Sequence, residues 1–262
     1  MRENCHKGLS EMVFEKDFGY DSKGLLTKIL DASIEPDLEN RLLIEQNLDY
    51  PSKILLILSK WLSEHTSGAR KLALENLEKA YLARLRNDPL WSHYLGLCFH
   101  YITDWGTPYH SPVSIAKKVV PYSILGGIGM GIFKTLINWI NNNGKIQEGV
   151  LDWSLLGAGA TGASSLVLQY IKHNDFEKQC DIYWNKYKYM IKKYFNSSKI
   201  KYQIPSSFER ALEKFNQLIY KLRNTCESTS PDWILADGNN FVDYMIKIAI
   251  VMDYAYKIVV FS

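Results

Sequence analysis

Apolar residues recur at three- and four-residue steps along almost the whole chain, with charged residues between them. That spacing admits few solutions other than packed helices. Residues 53–64 (KILLILSKWLSE) and 68–86 (GARKLALENLEKAYLARLR) show it most cleanly. The second follows His65-Thr66-Ser67, where a hydroxyl can cap a helix, and ends near Asn87-Asp88-Pro89. Trp91 to Asp104 reads as an apolar helix stopped by Gly106 and Pro108. Residues 173–195, 206–224 and 239–260 are three further amphipathic stretches. Val/Ile/Thr alternation and Asn-Gly hairpin signals are scarce, so the expected fold is all-α.

The length, 262 residues, suits a single domain carrying an insertion. Apolar residues at 47% and charged residues at 23% mark a globular chain whose core needs no disulfides. The cysteines, Cys5, Cys98, Cys180 and Cys226, form no Cys-x-x-Cys pair, which removes thiolate zinc fingers and thioredoxin-like redox motifs. With 31 basic and 28 acidic residues the net charge is only +3, which gives no case for nucleic acid as a partner. Met1 to His6 carries no apolar signal region. The expectation is a cytoplasmic protein, at most peripherally attached to membrane, or a mature secreted form numbered from a trimmed end.

Residues 111–172 differ in texture. Two apolar runs, about 119–140 and about 150–171, flank the polar turn Asn141-Asn142-Asn143-Gly144-Lys145. Each would extend roughly 33 Å as a helix, enough to cross a hydrocarbon core. Gly127/Gly131, Ala158/Gly162 and Gly159/Ala163 allow close helix approach. Pro121, Lys134, Asn138 and Asp152 interrupt the runs. Three readings stand: an inserted helical hairpin packed internally or at a homo-oligomer contact, one lying on a membrane surface through 119–171, and a two-span anchor.

A catalytic zinc takes imidazole nitrogens and carboxylate oxygens and keeps a position open. His100 and Asp104, four apart on a helix, share a face. The break at Gly106-Thr107-Pro108 lets His110 return toward them, and His173 and Glu177 form a second pair at the same spacing. Either pair alone is commonly explained by a satisfied structural histidine. Of the six histidines, His65 sits at a helix boundary, His6 near the start, and His93 on roughly the face of His100. For His93 a buried, hydrogen-bonded core role is the preferred reading.

The run Tyr94-Leu95-Gly96 through His100-Tyr101-Ile102-Thr103-Asp104-Trp105-Gly106-Thr107-Pro108-Tyr109-His110 resembles the His-Tyr-x-x-Asp-x-x-x-Pro-x-His signature of the zinc-dependent bacterial phospholipases C, including the alpha-toxin type. His173-Asn174-Asp175-Phe176-Glu177 is similar to that family's second element, and the fungal zinc nucleases share the scaffold. The resemblance spans about 45–110 and 170–260. It implies a multi-helix bundle over 1–262 holding two zinc ions and a place for a third. His65, His100 and Asp104 would serve one ion, and His110, His173 and Glu177 a second. The third would use His6, although Met1 stands where the family has tryptophan. A bridging aspartate upstream, often in a Pro-Asp context, would be Asp49, alternatively a turn or capping residue.

In that family only a short loop joins the elements matched by His110 and His173, whereas 62 residues intervene here. An apolar hairpin beside a phosphodiester site points to a substrate with a greasy tail. The expected activity is hydrolysis of a phospholipid or other lipid-linked phosphate ester by metal-activated water, with Asp49 as base or orienting group. The alternatives are an enzyme for an isoprenoid diphosphate, a nuclease-like phosphodiesterase stacking bases on Trp105 and Tyr109, and a scaffold kept for membrane or partner binding.

Overall fold

The computed structural model of the chain describes residues 3–17, 23–45, 60, 64–66, 68–110, 160–198 and 203–261, and within these every regular element is helical. The order is α1 (Glu3–Asp17), α2 (Lys23–Ala32), α3 (Glu35–Glu45), α4 (Ala69–Leu85), α5 (Trp91–Trp105), a 3-10 turn (Pro108–His110), α6 (Ala160–Ser197), α7 (Phe208–Ser228), α8 (Pro231–Ile234) and α9 (Gly238–Phe261). The all-α expectation holds among these residues, and the stretches 68–86, 91–104, 173–195, 206–224 and 239–260 reappear in α4, α5, α6, α7 and α9, whereas most of 53–64 lies outside the described residues.

Local chemistry sets the boundaries, once differently from expectation. The N-cap of α4 is Gly68, which has no side chain to cap with, rather than Thr66 or Ser67. The other end of α4 closes through Asn87 at a left-handed φ of 56°, and the Asp88 carboxylate then accepts the Leu90 N–H at 2.9 Å to launch α5. Ser207 and Ser230 cap α7 and α8 by accepting from Arg210 N and Trp233 N.

The largest revision concerns α6. The sequence divides a hairpin run ending near 171 from an amphipathic helix starting at 173. Instead one 38-residue helix begins at Ala160 and carries His173 and Glu177 without a break. It contains no proline and, after Gly162, no glycine, so nothing in it stops helix propagation. Residues 111–159, with most of the inserted hairpin, lie outside the described residues. Among the described residues no helix is long and apolar enough to cross a membrane.

Two helices organise the packing. α5 lies between α4 and α2, and α9 packs against α6, α7 and α1. Leu95, Cys98, Phe99 and Ile102 of α5 meet a core that includes Phe241, Tyr244, Met245, Ile248 and Met252 of α9. α9 is apolar on most of its surface, the pattern of a helix enclosed by others. At Gly96 the backbones of α5 and α2 approach so closely that a Cβ would sit 2.4 Å from the Ile29 carbonyl oxygen. That approach brings the chain at Ser33 onto α5. The buried Asp253 of α9 pairs with Lys257 at 2.9 Å and with Lys16 of α1 at 3.3 Å, tying the helix that carries His6 to the central one.

Candidate metal centre

Helix geometry alone brings the first pair together. His100 and Asp104 are one turn apart on α5, both buried, with His100 Nε2 3.1 Å from Asp104 Oδ2. His65, in a π-helical turn over residues 64–66, places Nδ1 2.5 Å from the same oxygen. π-turns are uncommon and concentrate at functional sites. The Nδ1 of His100 is 2.9 Å from the Ser33 carbonyl oxygen. A carbonyl only accepts, so this nitrogen carries a proton and Nε2 is the ring atom that faces Asp104. Backbone anchoring of this kind fixes the tautomer of metal-binding histidines.

The second set depends on the turn after α5. Gly106 N–H donates to Ile102 O at 3.0 Å, Thr107 N–H to Asp104 O at 2.8 Å, and His110 N–H to Thr107 O at 3.0 Å. The tightened turn swings His110 back to the cluster, where its Nδ1 donates to the His65 carbonyl oxygen at 2.8 Å. Its Nε2 meets Nε2 of His173 and lies 3.8 Å from Glu177 Oε1. His173 and Glu177 face one another across one turn of α6 at 2.8 Å. His65, His100 and Asp104 form one set able to hold an ion, and His110, His173 and Glu177 form another.

A third set joins His6 of α1, Asp37 of α3 and His100. His6 Nε2 is 3.7 Å from Asp37 Oδ2 and 3.6 Å from Asp104 Oδ1, and its ring stacks on that of His100 at 4.6 Å. His6 is 1% exposed, yet neither ring nitrogen has a hydrogen-bond partner among the described residues. A buried imidazole without such a partner is costly, and an ion at this point would remove the cost. Because Nδ1 of His100 is committed to Ser33, only Nε2 remains to be shared between two sets. Asp104 Oδ1, 3.6 Å from His6 Nε2, is a further carboxylate oxygen beside the His6 set. The central carboxylate thus turns Oδ2 toward His65 and His100 and Oδ1 toward His6 and, at 3.7 Å, His110.

Burial and charge oppose each other throughout this cluster. Burial works against ionisation of Asp104, but the imidazoles of His100, His110 and His65 outweigh it and hold the carboxyl well below its usual range. Glu177 is likewise held well below its usual range by His173 against burial. Burial drives His6 and His110 well below the usual imidazole value, which leaves them neutral and ready as ligands. His100 goes the other way. Burial lowers it, yet Asp104 and then Asp37 bring it up to about 9, so without an ion it keeps its proton. The Asp37 carboxyl is pushed up by the surrounding burial, although its side chain still reaches solvent at 27% exposure.

The structure therefore brings together His6, His65, His100, Asp104, His110, His173 and Glu177, all singled out by spacing or resemblance. Asp49 lies outside the described residues. Asp37 was missed, although Pro36-Asp37 is a Pro-Asp dipeptide upstream of His65 and offered the signal. His93 does not join the cluster. Instead of being buried it is partly exposed, its Nδ1 3.6 Å from Glu35. The four cysteines are buried, free and outside the ligand sets. Trp105 is occupied structurally: its Nε1–H donates to Ile219 O at 3.1 Å and the Arg223 guanidinium lies 4.5 Å from its ring centre. Comparison of the chain with protein families, curated proteins and solved structures finds no match. The resemblance to phospholipases C rests on the motif residues.

Proposed function

We propose that the protein is a zinc-dependent phosphoesterase acting on a phospholipid or another lipid-linked phosphate ester. The observation that carries this reading is the convergence of five buried histidines with Asp37, Asp104 and Glu177 in adjoining sets of ligand atoms. The donors are imidazoles and carboxylates without thiolate, which is the composition of catalytic rather than structural zinc sites. The orphaned nitrogens of buried His6 fit the same chemistry. Zinc in such sets supplies a Lewis acid for phosphoryl oxygens and lowers the pKa of water from about 15.7 to near 7.

The chain's own contributions follow from the contacts. Ser33 and His65 carbonyls orient His100 and His110. Asp104 offers one oxygen to each side of the cluster and balances its charge. Asp37, with its raised pKa and partial exposure, is the described carboxylate best placed to take or orient a proton at the edge of the cluster.

The lipid part of the reading comes from where the insertion joins. His110 and His173 touch through their ring nitrogens, so the residues that bound the 62-residue insertion 111–172 both belong to the second ligand set. A nuclease would want exposed rings for base stacking, and Trp105 is already engaged by Ile219 and Arg223. The discriminating assay supplies zinc and offers phosphatidylcholine vesicles, single-stranded DNA and a prenyl diphosphate. Turnover of the phospholipid, abolished by a chelator, supports the reading. Turnover of DNA alone or of the diphosphate alone replaces the substrate class, and no turnover of any of them overturns the enzymatic reading.

A further inference from the structure

One buried cation lies outside the ligand sets and is committed to the backbone that carries one of them. Arg223 of α7 is 3% exposed. Its Nη1 donates to Trp105 O at 2.7 Å and more weakly to Thr107 O at 3.4 Å, and its Nη2 donates to His110 O at 2.5 Å. Nε faces Glu227 Oε1 at 3.2 Å, and the guanidinium lies over the Trp105 ring. Tyr244 of α9 donates its hydroxyl to Gly106 O. The carbonyls of 105, 106, 107 and 110 are therefore all held by α7 and α9, at the negative end of the α5 dipole.

We propose that Arg223 is the positioning residue of the His110–His173–Glu177 set. A buried guanidinium is expensive unless its donors are satisfied, and here the planar fork is spent on the turn between Asp104 and His110. Those carbonyls belong to the only described connection between the two α5 ligands and His110. Fixing them fixes the direction in which the His110 ring leaves the backbone, and its Nδ1 then finds the His65 carbonyl. Lysine cannot reproduce this, because a single ammonium lacks the rigid fork that spans carbonyls five residues apart. In the first set His100 and Asp104 are placed by the helix itself, without Arg223.

The inference rests on the reading that the second set holds a metal, and the test separates the two. Cobalt affinity is measured in His100→Ala, which leaves the second set, and in His173→Ala, which leaves the first, each with and without Arg223→Met. The expected result is a loss of at least about tenfold from Arg223→Met in the His100→Ala background, within the 10- to 100-fold range of outer-shell partners. In the His173→Ala background the affinity should stay within about threefold, and Arg223→Lys should fall between arginine and methionine. Equal weakening in both backgrounds, or none in either, overturns the positioning role. If Arg223→Met does not fold, Arg223→Lys decides by the same comparison. Absence of cobalt binding in the His100→Ala chain with Arg223 intact overturns the metal reading of the second set itself.

Discussion

His110 donates its Nδ1 proton to the backbone carbonyl of His65 at 2.8 Å, and that bond ties the two ligand sets together. His65 gives its ring to the first set and its carbonyl to the second. The two contributions can be separated by mutation, because alanine removes the ring and keeps the carbonyl. His65→Ala should lose the metal of the His65–His100–Asp104 set and retain that of the His110–His173–Glu177 set. Zinc titration against a chromophoric chelator reads this directly; loss of both equivalents would show that the sets are not divided in this way.

Asp104 behaves differently, because its oxygens face imidazoles on both sides of the cluster. Asp104→Asn keeps the shape and removes the charge that outweighs burial at His100 and opposes it at His110. Zinc affinity should fall at both sets. Glu177→Gln, whose carboxylate faces His173 at 2.8 Å and His110 at 3.8 Å, should affect the second set alone. A matched titration of the two variants checks this, and identical site patterns would refute the central place given to Asp104.

The proton on His100 competes with metal. Its pKa in the metal-free protein is about 9, raised by Asp104 and Asp37 against burial, so an ion entering below that pH must displace a proton. Apparent zinc affinity should rise about tenfold per pH unit from near pH 6.5 to near pH 9 and then level off. Stability of the metal-free protein runs the opposite way. A group whose folded pKa is raised stabilises fully below its unfolded value near 6.5, and that contribution fades as pH rises through about 9. Thermal unfolding at stepped pH after chelation should show a falling midpoint over that window, and a flat or rising one would contradict the assignment of the proton to His100.

Much of this was legible in the sequence, for identifiable reasons. A helix imposes one turn between residues four apart, so His100/Asp104 and His173/Glu177 could be paired before any fold was known. The stops at Asn87-Asp88-Pro89 and Gly106-Thr107-Pro108 bounded α4 and α5 correctly because left-handed and proline-restricted backbone is written in those residues. Asp37 was passed over because it stands at the start of a short helix with no ligand at helical spacing. Only its Pro-Asp context marked it. Arg223 and Tyr244 were invisible because their partners lie more than a hundred positions away. The continuous α6 was misread because a change from apolar to amphipathic texture looks like a boundary even when nothing in the backbone chemistry breaks the helix.

The close approach at Gly96 links packing to the site. A methyl there would sit 2.4 Å from the Ile29 carbonyl oxygen and 2.7 Å from Ala32 Cβ, and α2 would have to shift. Gly96→Ala should cost about 1–3 kcal/mol, the range for overpacking a tight contact, read by urea unfolding. Since α2 leads directly to Ser33, whose carbonyl holds His100, the same variant should weaken the first ligand set. An unchanged unfolding midpoint would mean that α2 does not press on α5 there.

The most direct test of the account is the zinc content of the purified protein after saturation and removal of excess ion. The geometry predicts at least two zinc ions per chain, one for each non-overlapping ligand set, and their loss in the double variant carrying His100→Ala and His173→Ala. A wild-type chain that retains no zinc, or a double variant that retains as much as the wild type, would contradict it.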